Sequence, residues 1–478
     1  MSISSAIFNA ASGLTASARA VQVASSNVAN ALTEGYAARQ LNLTSSSLSG
    51  VGSGVRVAGV ARLVDPVLLG LSRAANAESQ GSSTRATFWQ KLEARIGQPG
   101  EGLSQALSAF DSALISASER PDLDSRLSRV TTTASALANS LGALNDTVQS
   151  LRADADAAIS RDVDALNSGL TRIDELNSSI VKLRAAGQST LGLEDERQAL
   201  LSTLSDIVPM REYPRPDGRV TLFTTGGQLL LDINPQPLEF SPTPGLDASL
   251  LVGAGLSGLT IGGQEVDPGS NGPIAGGRLA ANFTLRDTDA VAAQAELDAL
   301  TTNLIARFET AAADPTRGAG DPGLFTDAGA ALAASPAVGI AGRIAVNALV
   351  VPEDGGALWR LRDGIGAAAP GPVGDASQIL NLMAALDQPV ASGAGSAARG
   401  FAQTLADVSS GLSLQRQYAE DAATRNTAQA SELTQQMLAQ GVDTDAEMQR
   451  LLSVEQAYAA NTRVIQTADA MLRRLLEI

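Results

Sequence analysis

The chain of 478 residues contains neither cysteine nor histidine. Disulfides, thiol nucleophiles, histidine general bases and Cys/His zinc sites are excluded together. Aromatics are scarce at 3%, so any core must be built from Leu, Val, Ile and Ala. Lysine occurs only at Lys91 and Lys182. Positive charge is short overall: 34 basic against 50 acidic residues give a formal net charge of −16. That balance argues against nucleic acid or an anionic membrane as the partner. No apolar run of about 18 residues exists, so no membrane-spanning helix is expected. The first 25 residues have neither the basic start nor the continuous apolar stretch of a secretory signal. Residues 1–64 hold one acid, Glu34, and four arginines, which superficially fits an organelle transit peptide. Arg19 is the sole cation of the first 38 residues, too few for that reading.

Proline is absent from 1–65, 122–208 and 390–478, whereas nine of the 19 prolines fall in 209–273 and six in 315–372. Proline breaks helix interiors, so the proline-free blocks are where long helices can form. The outer blocks read as helical and the middle as loop and strand. From Leu127, Val130, Ala134 and Leu137 to Ile173, Leu176, Ile180 and Leu183, apolar residues recur by three and four with one phase slip. About 60 residues at 1.5 Å each predict a rod on the order of 90 Å, with Gly187 as its stop. A shorter helix is expected over Leu193–Val208. Strands are expected at Gly218–Phe223 and Leu229–Leu231 about a Gly226-Gly227 turn, at Leu250–Val252, at Leu259–Ile261 and within Arg343–Val351. Further helices are expected over about 289–313, 376–387 and 397–440, with a Gly/Ser linker at 392–396.

The two ends carry the sharpest pattern. Ile7, Leu14, Val21 and Val28 are spaced by seven, and Leu451, Val454, Tyr458, Asn461, Ile465, Ala468, Leu472 and Leu475 alternate by three and four. These are narrow seams of coiled-coil type. Thr444-Asp-Ala-Glu447 has the form of a capping box for the last helix. Burying the four large N-terminal residues yields roughly 1.5–3 kcal/mol each, while ordering a helix costs roughly 1–2 kcal/mol per residue in backbone entropy. The N-terminal helix therefore needs a partner. Two readings stay open: an intramolecular coiled coil of the two ends, or burial of both ends in a core shared by many subunits.

Candidate chemical motifs have plainer explanations. Gly50-Val-Gly-Ser-Gly54 lacks the strand, helix and nearby lysine of a phosphate loop. Ser179-Ile-Val-Lys182 matches the SxxK of serine acylases, but with Lys91 as the only other lysine the chain cannot supply their KTG element. The acids of Asp443–Glu447 lack the glycine and ligand spacing of a calcium loop. No catalytic residue, cofactor site or metal site is expected.

Ser25-Ser-Asn-Val-Ala-Asn-Ala-Leu-Thr-Glu-Gly-Tyr36 is a helix end in which Gly35 can take the left-handed position and Tyr36 packs back. The segment resembles the N-terminal signature of bacterial flagellar axial proteins (rod, hook and hook-associated proteins), matching it at Asn27, Ala29, Asn30, Thr33, Gly35 and Tyr36. Gln456–Asp469 is similar to the other end of that superfamily. Gly52–Asp65, Leu193–Leu201 with its D-x-R-x-x-L-L element, Ile274–Leu279 and Gly323–Phe325 resemble the hook-associated protein 1 family. Arg307–Ala312 departs from its pattern, and 313–375 matches poorly.

The resemblance implies a non-enzymatic, α+β multidomain structural protein with terminal coiled-coil helices, a long helical rod and inserted β-rich parts. It implies domains at 1–36 with 444–478 (inner tube), 37–208 with 376–443 and helix 286–313 (rod), 209–285 (β-rich) and 314–375 (small and irregular). It further implies export by the flagellar type III apparatus, a place between hook and filament, and no nucleic-acid or membrane partner. The implied partners are copies of itself, the hook protein, the second hook-associated junction protein and an export chaperone for the C-terminal helix. Assembly would use Ile7, Leu14, Val21, Val28, Leu451, Val454, Tyr458, Asn461, Ile465, Leu472 and Leu475. The alternatives are another axial protein such as the hook protein, which the long helix at 122–183 disfavours, or an enzyme carried in the β region. A metalloprotease of the HExxH type is impossible without histidine.

Overall fold

In chain order the computed structural model begins with helix α1 (Ile3–Ala29), strands β1 (Arg39–Leu48) and β2 (Val51–Arg62), and helices α2 (Pro66–Ile96), α3 (Gly102–Glu119), α4 (Asp124–Ala185) and α5 (Leu191–Ser205). Strands β3 (Met210–Pro214), β4 (Val220–Thr224), β5 (Leu229–Leu231), β6 (Leu238–Glu239), β7 (Leu251–Val252), β8 (Gly255–Leu256), β9 (Leu259–Ile261) and β10 (Gln264–Val266) follow. Helix α6 (Gly277–Thr284) runs through a π-helical turn (Leu285–Asp289) into α7 (Ala290–Phe308). The chain continues with β11 (Phe325–Asp327), β12 (Ile344–Val346), α8 (Trp359–Asp363), α9 (Ser377–Asp387), α10 (Phe401–Ala439) and α11 (Thr444–Leu476). The structure describes residues 3–33, 35–48, 51–96, 102–269, 271–332, 338–391 and 397–476. The linker expected at 392–396 lies outside them, as do Glu34 and Gly50. The architecture is α+β, with long helices and several small sheets.

Helix α4 is 62 residues long. Its predicted stripe is its buried face: Leu127, Leu137, Leu141, Leu166, Leu170, Ile173 and Ile180 are all fully enclosed. The stripe passes the phase slip through Ile159, also fully buried. The helix closes where expected. Gly187 takes a φ of +68° and Gln188 N donates to Leu183 O at 2.9 Å, a Schellman closure.

The chain divides into two compact units: Met1–Ala77 with Asn167–Gln236 and Asn426–Ile478, and Glu78–Leu166 with Pro237–Arg425. In the first unit α1 packs along α11, β1 and β2 form an antiparallel hairpin, and β3–β4–β5 form an antiparallel sheet. That sheet is tied to the helices by Asn177 on α4, which donates to Val220 O (3.1 Å) and accepts from Arg197 on α5 (2.8 Å).

The second unit is organised by a large apolar core from α2, α3, α4, α7, α9 and α10. Phe110, Phe308 and Phe325 pack within it, Phe325 edge-on to both of the others and the three rings 5.2–6.2 Å apart. Antiparallel strands β6–β9–β10, the parallel pair β7–β8 and the pair β11–β12 lie in this unit. Buried charge fastens loops to helices here. Arg286 pairs with Asp156 (2.7 Å) and Asp287 (2.7 Å), while Arg152 donates to Arg286 O (2.8 Å) and Asp247 O (3.0 Å). Arg307, where the sequence departs from the family pattern, is also buried, and it donates to the α9 carbonyls of Ala385 and Leu386, each at 3.1 Å. A cation on the last carbonyls of a helix completes its C-terminus.

Three sequence expectations are corrected. Residues 39–62, inside the proline-free block read as helical, form the β1–β2 hairpin. The absence of proline permits a helix without imposing one, and Val55, Val57 and Val60 favour a strand. Within Arg343–Val351 only Ile344–Val346 is a strand. Asn347 then turns the chain into a 3₁₀ segment, accepting from Leu349 N (3.0 Å) and donating to Gly323 O (2.9 Å). The last helix is capped not by Thr444 and Glu447 but by Asp443, whose Oδ1 accepts from Asp445 N and Ala446 N, each at 3.0 Å.

Candidate assembly site

Helices α1 and α11, which carry the two seams read from the sequence, pack along each other within one chain. Their contact is built from small residues. Ala10, Ala16, Ser17, Ala24 and Asn27 are the buried residues of α1. Among the described side chains of α11, only Glu447 and Ala468 are buried. Ile7, Leu14, Val28, Leu451, Val454, Asn461 and Ile465 are half-buried. Val21, Tyr458, Leu472 and Leu475 remain exposed. Phe8, Met448, Leu452, Val464 and Met471, which the seam pattern does not include, are exposed as well. Pairing therefore leaves much of the apolar surface of both helices in water.

The end of α1 is held by a hub the seams do not reveal. Asn27 is fully enclosed and uses all four hydrogen-bonding positions of its amide. Its Nδ2 donates to Arg39 O (2.9 Å) and Glu447 Oε1 (3.1 Å). Its Oδ1 accepts from Arg39 N (2.9 Å) and from the Tyr36 hydroxyl (2.8 Å). One side chain thus joins the end of α1, the first residue of β1 and the first turn of α11. Asn30 and Thr33 close the turn between: Asn30 Nδ2 donates to Ser26 O (2.9 Å), and Thr33 Oγ1 to Asn30 Oδ1 (3.3 Å).

Gly35 has a φ of +79°, and a β-carbon there would stand 2.9 Å from that of Ala199 on α5. Only glycine meets both demands. Asn30, Thr33, Tyr36 and Arg39 face Gly192, Asp195, Glu196 and Ala199 of α5 across a cleft of about 320 Å³. The residues that resemble the axial signature and those that resemble the D-x-R-x-x-L-L element thus meet in space. Asp195 bridges them, binding Arg39 (3.0 Å) and Arg62 (2.8 Å).

The other sequence motifs stay apart from this site. Lys182 is exposed on α4, and Gly52–Gly54 belong to β2. Among the described residues, no group of three or more acidic side chains is arranged to hold a metal ion, and no helix is long and apolar enough to cross a membrane.

Three family models match the chain. Residues 89–325 match the flagellar hook-associated protein FlgK helical domain, 434–478 the flagellar basal body rod FlgEFG protein C-terminal, and 7–36 the flagella basal body rod protein. Flagellar hook-associated protein 1 of Escherichia coli (strain K12) is 25% identical over 236 residues, 48% of this chain and 43% of that protein. The protein of the same name from Bacillus subtilis (strain 168) is 24% identical over 241 residues, 47% of this chain and 48% of that protein. The chain spans less than half the length of these curated relatives. The flagellar hook junction protein FlgK from Burkholderia pseudomallei has a solved structure that superposes with a TM-score of 0.46 at 22% identity, over 54% of this chain and 46% of that one.

Proposed function

The chain belongs to the flagellar hook-associated protein 1 family, and we propose that it is a non-enzymatic structural subunit of the bacterial flagellum, seated between hook and filament. The observation that carries the proposal is the unfinished burial of the terminal helices. Seven large apolar side chains of α11 (Met448, Leu452, Tyr458, Val464, Met471, Leu472 and Leu475) are 38–60% exposed after α1 has packed. Covering the remaining half of such a side chain stabilises by on the order of 1 kcal/mol each. Neighbouring subunits are the source of that cover in this reading, through contacts that propagate helically instead of closing as a dimer.

In this proposal the segments 1–36 and 444–478 form the inner layer, and the long helices over 37–208 and 376–443 the next. The β-rich stretches 209–285 and 314–375 lie outside them. The subunit is exported by the flagellar type III apparatus, and a chain without disulfides presents no covalent loop to threading. Its partners are further copies, the hook protein, the second hook-associated junction protein and an export chaperone acting on the C-terminal helix. The match at 89–325 favours this reading over the hook protein, since the rod-type models match only the ends, 7–36 and 434–478.

A deletion strain tests the assignment. Complete hooks, no filaments and flagellin shed into the medium are expected by electron microscopy and blotting. Full-length filaments on such cells would overturn it, and missing hooks would favour another axial protein.

A further inference from the structure

Arg39 and Arg62 are partners across the base of the β1–β2 hairpin. Like charges directly opposite each other on a two-stranded ladder destabilise it. Here both guanidinium groups turn to one carboxylate: Arg39 Nη2 donates to Asp195 Oδ2 (3.0 Å) and Arg62 Nε to Asp195 Oδ1 (2.8 Å). The three side chains are 13–21% exposed, so solvent screens them less than a surface pair. We propose that Asp195 is a positioning residue, an electrostatic latch that fixes on α5 the direction in which the hairpin and the paired terminal helices leave it.

The surroundings do not duplicate the hydrogen bonds of that carboxylate. Glu194 forms a longer ion pair with Arg62 at 3.9 Å, beyond hydrogen-bond reach. Arg73 and Arg197 add two more cations nearby; burial pulls both below the ordinary guanidinium range, with Glu212 opposing and the charge of Arg62 reinforcing that shift. Glu212 is engaged by Gln198 (2.9 Å), and Glu196 by Arg172 (2.7 Å). Asp195 is thus the acid that holds two like charges together.

The hairpin in turn carries α1. Ser12 Oγ accepts from Val55 N (3.1 Å) while donating to Asn9 O (2.8 Å), and Asn27 grips both backbone groups of Arg39. A hairpin base released from α5 would take the end of α1 with it. The inference concerns the free chain and stands apart from the assembly reading.

A double-mutant cycle on the purified full-length chain, read by hydrogen–deuterium exchange over 39–62, separates a charge latch from ordinary packing. Asp195→Asn alone and Arg62→Gln alone should each speed exchange at the hairpin base about fivefold or more. In the Asp195→Asn background, Arg62→Gln removes a repulsion instead of an attraction, so the double variant should exchange more slowly than Asp195→Asn. Asp195→Glu keeps the charge and should stay within about twofold of the parent. Strands β3–β5 should be unchanged throughout. The latch is overturned if Arg62→Gln speeds exchange equally in both backgrounds, or if Asp195→Asn leaves the hairpin base unaffected. It is overturned equally if Asp195→Asn deprotects β3–β5, because Asp195 would then be supporting α5 itself.

Discussion

Gly13 on α1 lies so close to Asn461 on α11 that a β-carbon at position 13 would stand 2.6 Å from the Asn461 amide nitrogen. Glycine inside a helix costs about 1 kcal/mol relative to alanine, so intrinsic propensity works against it here. The close approach of the two helices is what requires it. The sole amide of the α11 seam thus meets the point of closest approach on α1, and a polar residue in an apolar seam fixes register at some cost in stability.

From this contact follows the first prediction. Gly13→Leu cannot be accommodated by rotating Asn461 alone and should push α1 away from α11. Amide exchange over 3–29 and 444–476 should rise about tenfold or more, with β3–β5 unchanged. Wild-type protection in the variant would show that the pair does not depend on this approach.

The second prediction concerns pH and the other unit. Asp162 is buried, with Oδ1 bound by Arg278 at 2.8 Å and, among the described residues, no close hydrogen bond to Oδ2. Burial raises its pKa above the ordinary carboxylate value, and the hydrogen bond and charge of Arg278, with smaller help from Arg161 and Asn282, only partly oppose this. For an acid whose folded-state pKa is raised, the stability contribution is full below the unfolded-state pKa and is lost as pH rises through the folded-state value. The ionised Asp162 is therefore a liability at neutral pH. Asp162→Asn should raise the thermal midpoint at pH 7, and the gain should shrink as pH falls through the raised folded-state value and be gone below the unfolded-state value of about 4. A midpoint lowered at pH 7, with the loss fading as the carboxyl is protonated at low pH, would mean that the Arg278 pair outweighs burial.

Much of this architecture is legible in the sequence because it rests on local periodicity. The α4 stripe from Leu127 to Ile180 and the left-handed positions of Gly35 and Gly187 each follow from residues within a few turns of one another. What was not legible depends on partners far along the chain. Nothing near Asn27 announces that Glu447, 420 residues away, will accept one of its hydrogen bonds. Thr444 and Glu447 have capping-box spacing, yet that carboxylate is drawn to Asn27 and Arg450, and Asp443 caps the helix instead. The hairpin at 39–62 departs from the expected helix for a different reason. Its alternation at Leu41 and Leu43, and at Val55 and Val57, is a strand signal, and it was overridden by the absence of proline. Asp195 lies within the element at Leu193–Leu201, but its pairing with two strand ends depends on a hairpin more than 130 residues away.

The last prediction tests whether the exposed seam is an assembly surface. Ile465 is half-buried on α11, within the stripe that runs from Tyr458 to Leu472. A carboxylate at this position would be enclosed without a partner whenever a neighbouring subunit covers the helix, at a cost on the order of several kcal/mol. In the free chain the same carboxylate keeps access to water, so the penalty falls mainly on assembly. The core around Phe110, Phe308 and Phe325 and the β3–β5 sheet are built from other residues. Ile465→Asp should therefore keep the thermal midpoint of the isolated protein within a few degrees, be secreted, and leave cells without filaments and non-motile. Lys182→Ala, which alters an exposed side chain of α4, and Ser179→Ala should swim normally. Secretion, motility and filament counts on the three strains decide the matter. Normal filaments on Ile465→Asp cells would mean that the seam is not covered in the polymer, and the apolar surface left open by the α1–α11 pair would then need another explanation.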